Sequence, residues 1–354
     1  MLVRSLQPPP TRLDELMDAQ TIATLDRLDV VSRRVFAGKM PGERRSKSRG
    51  QSVEFDDFRQ YTPGDDPRHI DWHVLARLDR LVVKLFRAEE DLGVRVVLDA
   101  SPSMLAGDPP KALLAARLAI AIGYIGLVNQ NRVSAFSWGT PGGGLHALRP
   151  VRGRRQLQRF NAFVLDALKR QHDAPTAGST AGAVETPSSA SPRSDAQRVE
   201  KAPPSPRHPS EPLDLNAALK RVAMDRAGGP GLVVVISDFL DRAGYKEGLN
   251  ALAARGQFDV VCAQILAPGE LDPARDADAG LLGDLRLIDA ESGRGAEVTV
   301  TSGLLKRYRD RLDAFVTGLS AACAARGFTH LLTPSDADVG ELVGMGLRER
   351  GVLG

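Results

Sequence analysis

Asp99, Ser101 and Ser103 follow one another as Asp-x-Ser-x-Ser, and a second carboxylate, Asp238 in Ile236-Ser237-Asp238-Phe239, stands far along the chain. Carboxylates and hydroxyls with no His or Cys nearby form a hard oxygen donor set, which suits Mg²⁺ or Mn²⁺ better than Zn²⁺. The two serines are neutral. An ion held by so few charges keeps positive charge that an acidic side chain of a partner can complete. The same short pattern is also turn chemistry, with Asp99 able to cap the helix that follows. Ser101 lacks the Gly-x-Ser-x-Gly elbow and a marked histidine base of a nucleophilic serine. His69 and His73 are four residues apart, but Pro67 and the missing Glu argue for ordinary surface or packing histidines.

These residues need elements to position them. Val94 to Leu98 is a short apolar run suited to a buried parallel strand, so Asp99 falls at its carboxyl end. Leu232 to Ile236 is another, placing Asp238 at the same kind of position. In open parallel sheets, binding crevices form beyond the carboxyl ends of the strands, so the two carboxylates are expected to converge on one cleft. Between and after them the pattern alternates: helix Ala112 to Val128, strand Val133 to Trp138, helix Arg154 to Leu168, helix Leu215 to Met224, helix Tyr245 to Arg255, strand Phe258 to Leu266, helix Leu304 to Arg326 and strand Thr329 to Leu332. This is an α/β pattern with a mostly parallel sheet flanked by helices. Leu285 to Ile288 and Val298 to Thr301 read as an antiparallel edge hairpin.

The rest divides around that core. Residues 1–35 carry apolar positions at helical spacing, from Leu13 to Val31, and read as one or two amphipathic helices. Residues 36–90 form a module of short strands with a tight turn at Thr62-Pro63-Gly64-Asp65-Asp66. Residues 91–354 hold the α/β domain. It is interrupted at 172–212, where Ser, Pro, Ala, Thr and Gly displace every apolar period, as expected of a disordered insertion.

The upstream text is dense with recurring residue types: Glu54-Phe55, Arg59-Gln60-Tyr61, Pro63-Gly64-Asp65-Asp66, Arg68, Ile70-Asp71-Trp72 and Ala76-Arg77. Together these resemble the signature of the bacterial and archaeal family called domain of unknown function fifty-eight, over most of 36–170 and again from 212 to the end. Asp-x-Ser-x-Ser with a distant strand-end Ser-Asp is similar to the metal-ion-dependent adhesion site of von Willebrand factor A domains. The resemblance implies a Rossmann-like von Willebrand factor A fold with Asp99, Ser101, Ser103 and Asp238 on the ion. It also implies a non-enzymatic binding role beside a MoxR-type AAA+ ATPase, as adaptor or chaperone-like partner, with a protein client. One position departs. The family's Gly-Thr-Asp-Leu supplies a threonine ligand where this chain has Pro212-Leu213-Asp214-Leu215. Leu213 cannot ligate a hard cation, so water, Asp214 or a hydroxyl such as that of Thr180 would have to complete the site. Within the signature, Arg59, Tyr61, Gly64, Asp65, Asp66, Arg68, Asp71, Trp72 and Arg77 serve either structure or a partner. Arg68 is expected to pair with Asp65, Asp66 or Asp71, and Trp72 to fill an apolar gap.

Composition sets the outer limits. The 354 residues carry 47 basic and 44 acidic side chains, a net charge of +3, so long-range attraction demands neither nucleic acid nor an anionic membrane. The basic groups Arg44, Arg45, Lys47, Arg49 and Arg152, Arg154, Arg155, Arg159 lack interleaved aromatics and read as solvated faces or as docking points for an acidic partner. No window looks long and apolar enough to span a membrane. Cys262 and Cys323 read as reduced core residues, so a cytoplasmic protein is expected. Two other functions stay open, a Mg²⁺-dependent hydrolase and a metal-free scaffold.

Overall fold

The structure, a computed structural model, describes residues 10, 12, 15–30, 54–87, 92–140, 143–173, 213–273, 283–288 and 295–354. Residues 172 and 173 of the expected insertion are helical instead; its residues 174–212, Thr180 among them, the basic run at 44–49 and residues 31–35 of the expected N-terminal helices lie outside the described residues.

The strands are β1 (Glu54–Gln60), β2 (Val82–Arg87), β3 (Gly93–Asp99), β4 (Arg132–Trp138), β5 (His146–Arg152), β6 (Gly231–Ser237), β7 (Phe258–Leu266), β8 (Gly283–Ile288), β9 (Gly295–Val300) and β10 (Thr329–Pro334). The helices are α1 (Ala19–Leu25), α2 (Trp72–Leu78), α3 (Lys111–Val128), α4 (Leu157–Asp173), α5 (Leu215–Met224), α6 (Lys246–Ala254), the single turn α7 (Pro268–Leu271) and α8 (Ser302–Ala324).

Six strands make the central sheet in the order β10-β7-β6-β3-β4-β5. All neighbours are parallel except β4 and β5. Because side chains alternate across a strand, the four inner strands β7, β6, β3 and β4 each feed two cores. Val94, Val96 and Leu98 pack under α3, α4, α1 and the C-terminal segment. Val97, Val233, Val235 and Cys262 pack on the other face with α5, α6 and α8. A mostly parallel sheet covered on both faces explains why its strands are apolar runs rather than alternations.

Three features of the sheet and its helices depart from expectation. First, α3 is long and apolar enough to cross a membrane by composition, contrary to the reading that no window is. It is instead the central core helix, with Leu118, Ala119, Ile122 and Ile125 wholly enclosed. Second, β8 and β9 pair only with each other among the described residues, as a separate two-stranded sheet rather than an edge of the main one. Third, β5 was not anticipated. Its sequence, His146-Ala147-Leu148-Arg149-Pro150-Val151-Arg152, buries only Leu148 and Val151. A proline that cannot donate to a ladder is tolerated here because the strand is at the sheet edge.

The signature residues build a separate ribbon in which β1 pairs antiparallel with β2 and Ile70 bridges to Val83. Arg59, not Arg68, holds Asp65, at 2.7 Å, and Asp65 also accepts from the Thr62 N–H. Gly64 takes φ +111°, which the turn requires and an L side chain resists. The Tyr61 N–H donates to Leu81 O, while Asp66 accepts from the Arg68 N–H. Asp71 caps α2 and meets Lys84 Nζ at 3.0 Å. Arg77 lies in the last turn of α2. Trp72, expected to fill a gap, is 60% exposed.

At the other end of the chain, Val30 bridges to Leu353, and Arg154 and Tyr124 both reach Asp26 just past α1. That pairing gives Arg154 a structural use. The thiols of Cys262 and Cys323 are free and buried.

Candidate functional site

Parallel pairing of β3 with β6 sets Leu98 opposite Ile236, so Asp99 and Asp238 emerge side by side at one rim. Opposite edges would have separated them. The link is direct: Ser237 Oγ donates to Asp99 Oδ2 at 2.5 Å and itself accepts the Phe239 N–H at 2.9 Å. Asp99 Oδ1 accepts from the Ser101 N–H at 2.9 Å. That turn aims Ser101 and Ser103 at each other, with their hydroxyl oxygens 3.0 Å apart. Both serines are only half-buried, whereas Asp99 and Asp238 are buried.

Several features outside the motif hold it in place. The Ala100 N–H donates to Trp138 O, and Gln171 Nε2 donates to Ser101 O at 2.7 Å. Gly139, at φ +88°, lies so close that a Cβ there would sit 2.8 Å from Ser101 N. Phe239 is fully buried and yet left-handed, at φ +60°. Such conformations cost of order 1 kcal/mol or more and concentrate at functional sites. This one turns the Leu240 N–H toward Asp238 Oδ1, 3.0 Å away.

A second charge cluster adjoins the first. Lys111, the first residue of α3, puts its ammonium 2.8 Å from Asp238 Oδ2 and 2.8 Å from Glu270 Oε1. It is 1% exposed. Glu270, on α7 just after β7, also accepts from the Ala267 N–H, and its carbonyl accepts from Tyr308 of α8. Burial alone would lower the Lys111 pKa, but the two carboxylates outweigh it and hold the ammonium above its ordinary value. Among the described residues Asp99 has no such cation. Burial first, and then the neighbouring Asp238 charge, push its carboxyl up to about 7, against hydrogen bonds from Ser237 and Ser101 that pull the other way.

A divalent cation fits this donor set. Of three buried carboxylates, Asp238 and Glu270 share one ammonium, and Asp99 is the one without it. Thr140, just past the neighbouring β4, has a buried hydroxyl with no hydrogen-bond partner among the described residues. Among the described residues no three acidic, His or Cys side chains could hold an ion unaided, so an ion here would need hydroxyls and water as further ligands. Leu213 packs against the α5 core, and Asp214 is exposed and caps α5 through the Ala217 N–H. The structure thus brings together Asp99, Ser101, Ser103 and Asp238, and gives Asp214 a capping bond. Sequence reasoning passed over Lys111, Glu270 and Thr140. A lysine at the first turn of an otherwise apolar helix, where the helix dipole disfavours a cation, was the available signal for Lys111.

The profile of the family described as "Protein of unknown function DUF58" matches residues 57–314. The chain belongs to the DUF58 family. This DUF58 protein is 28% identical over 301 residues to uncharacterised proteins of Mycobacterium tuberculosis and Mycobacterium bovis, covering 84% of this chain and 80% of each relative. Among solved structures it is similar to the conserved hypothetical protein BatB from Bacteroides thetaiotaomicron, with a TM-score of 0.37 and 12% identity over 73% of this chain and 98% of that one. It is also similar to an aerotolerance-related membrane protein from Bacteroides fragilis, with a TM-score of 0.34 and 13% identity over 73% of this chain and 97% of that one.

Proposed function

We propose that this DUF58 protein is a metal-dependent protein-binding module of von Willebrand factor A type, with Mg²⁺ or Mn²⁺ held by Asp99, Ser101 and Ser103 and with Asp238 beside it. Its first-choice partner is a MoxR-type AAA+ ATPase in the cytoplasm, for which it acts as adaptor or chaperone-like partner toward a protein client. The observation that carries this reading is the buried Asp99 carboxylate, short of a counter-charge, beside two half-exposed hydroxyls on an open rim. A bound ion supplies the missing positive charge and an open coordination position for a partner's acidic side chain. The residues of the chain supply orientation: Ser237 fixes one oxygen of Asp99 and the Ser101 N–H fixes the other.

The test is titration calorimetry against the candidate ATPase with Mg²⁺ and with chelator. Association should require Mg²⁺ and be lost in a folded Asp99→Ala, Ser101→Ala double variant. Undiminished binding by that variant contradicts the proposal.

The Lys111 ammonium on Asp238 favours a second reading, a metal-free scaffold whose rim is neutralised from within. It predicts association that survives chelation.

A further inference from the structure

Lys111 is an unusual residue to find where it is. It opens α3, whose N-terminal end carries the positive pole of the helix dipole, and no acidic side chain stands in the first turn to offset it. It is almost wholly buried, where an unpaired ammonium is costly. Both penalties are met by two carboxylates from different crossovers, Asp238 after β6 and Glu270 after β7. One side chain therefore ties the start of α3 to two neighbouring strand ends. Glu270 is itself fixed by the Ala267 N–H on its other oxygen, so the ammonium cannot move toward Asp99 without breaking a buried pair.

This arrangement bears on the charge of any ion at the rim. A carboxylate oxygen that accepts a buried ammonium at 2.8 Å is a poor inner ligand for a divalent cation on its other side. Displacing the ammonium would leave it facing Glu270 alone. From the contacts of Lys111 with Asp238 and Glu270, we infer that Lys111 is a built-in counter-ion that keeps Asp238 off the metal, so that Asp99 is the one carboxylate in direct contact with it. This rests on the metal-site reading above and deepens it. An ion balanced by a single charge selects an anionic group on the partner, so Lys111 is a positioning residue that sets how strongly the module demands an acidic ligand.

The experiment is calorimetric titration of Mg²⁺ and Mn²⁺ into the full chain and two variants, Lys111→Met and the charge-balanced Lys111→Gln, Glu270→Gln pair. The pair leaves net charge unchanged and frees Asp238 to reach the ion. The inference expects wild type to bind Mg²⁺ and the pair to bind at least about tenfold more tightly, as an added inner carboxylate should. Equal or weaker binding in the pair, with wild type still binding, overturns the inference and leaves the metal-site reading standing. Binding gained by the variants but absent in wild type overturns both, because no ion then rests on Asp99 while Lys111 is in place. Absence of binding in all three overturns both. Should neither variant fold, wild-type crystals grown with Mn²⁺ decide through anomalous scattering. Manganese on Asp99 with Lys111 still on Asp238 supports the inference, and manganese bonded directly to Asp238 overturns it.

Discussion

Ser237 and Asp99 share a 2.5 Å hydrogen bond across adjacent parallel strands, and the same hydroxyl accepts the N–H of left-handed Phe239. One small side chain thus joins the two strand ends that carry the acidic groups. Ser237→Ala should strand a buried N–H and take a donor from Asp99, costing roughly 2–3 kcal/mol in urea-denaturation stability. It should also weaken Mg²⁺ binding. A change under about 0.5 kcal/mol would mean the hydroxyl carries no strain-holding role.

Asp99 makes stability depend on pH in a defined direction. Its folded pKa, near 7, lies above its ordinary value of 3.8, so between those values the folded chain binds a proton that the unfolded chain has released. Without metal, its contribution is fully present below pH 4 and is lost as pH rises through about 7. Asp99→Asn keeps the acceptor for Ser237 and should flatten that slope and raise metal-free stability at pH 8 by a few kcal/mol. Denaturation curves from pH 4 to 8 check this. Saturating Mg²⁺ should remove the slope in wild type, because the ion takes the place of the proton.

Gly139→Ala tests how tightly the rim is packed. The new Cβ would meet the Ser101 backbone at 2.8–3.0 Å in a left-handed conformation that alanine resists. The expected result is a loss of about 1–3 kcal/mol together with weaker Mg²⁺ binding. Loss of stability with unchanged metal affinity would show that the Ser101 loop is not positioned by this contact.

Trp72 bears on the signature ribbon. At 60% exposure it has little to lose from truncation, so Trp72→Ala should change stability by less than about 0.5 kcal/mol. If the ribbon meets the ATPase, the same change should lower affinity by about tenfold or more, as aromatic anchors do. A large drop in melting temperature would instead mark Trp72 as part of the fold.

Why some of this was legible in sequence and some was not follows from distance along the chain. Asp99, Ser101 and Ser103 sit within one turn, immediately after an apolar strand, so their grouping is local and their place at a strand end readable. Asp238 could be matched to them because its strand has the same apolar character. Lys111 meets Asp238 across 127 positions and Glu270 across 159, and no local pattern announces either pairing. The β5 edge strand hid because its polar alternation and Pro150 resemble loop text. In α3, apolar residues surround the helix, so periodicity names no buried face and composition alone cannot tell a core helix from a membrane span. Trp72 does not fill the expected apolar gap: Asp71 caps α2, and the first residue of that short helix stands 60% exposed.

The central claim is that the rim at Asp99 binds a divalent cation, and the most direct measurement is the melting temperature of wild type and Asp99→Asn with and without millimolar Mg²⁺. A ligand that binds only the folded chain must stabilise it. Wild type should gain several degrees and Asp99→Asn none; equal shifts in the two, or none in wild type, would contradict the account.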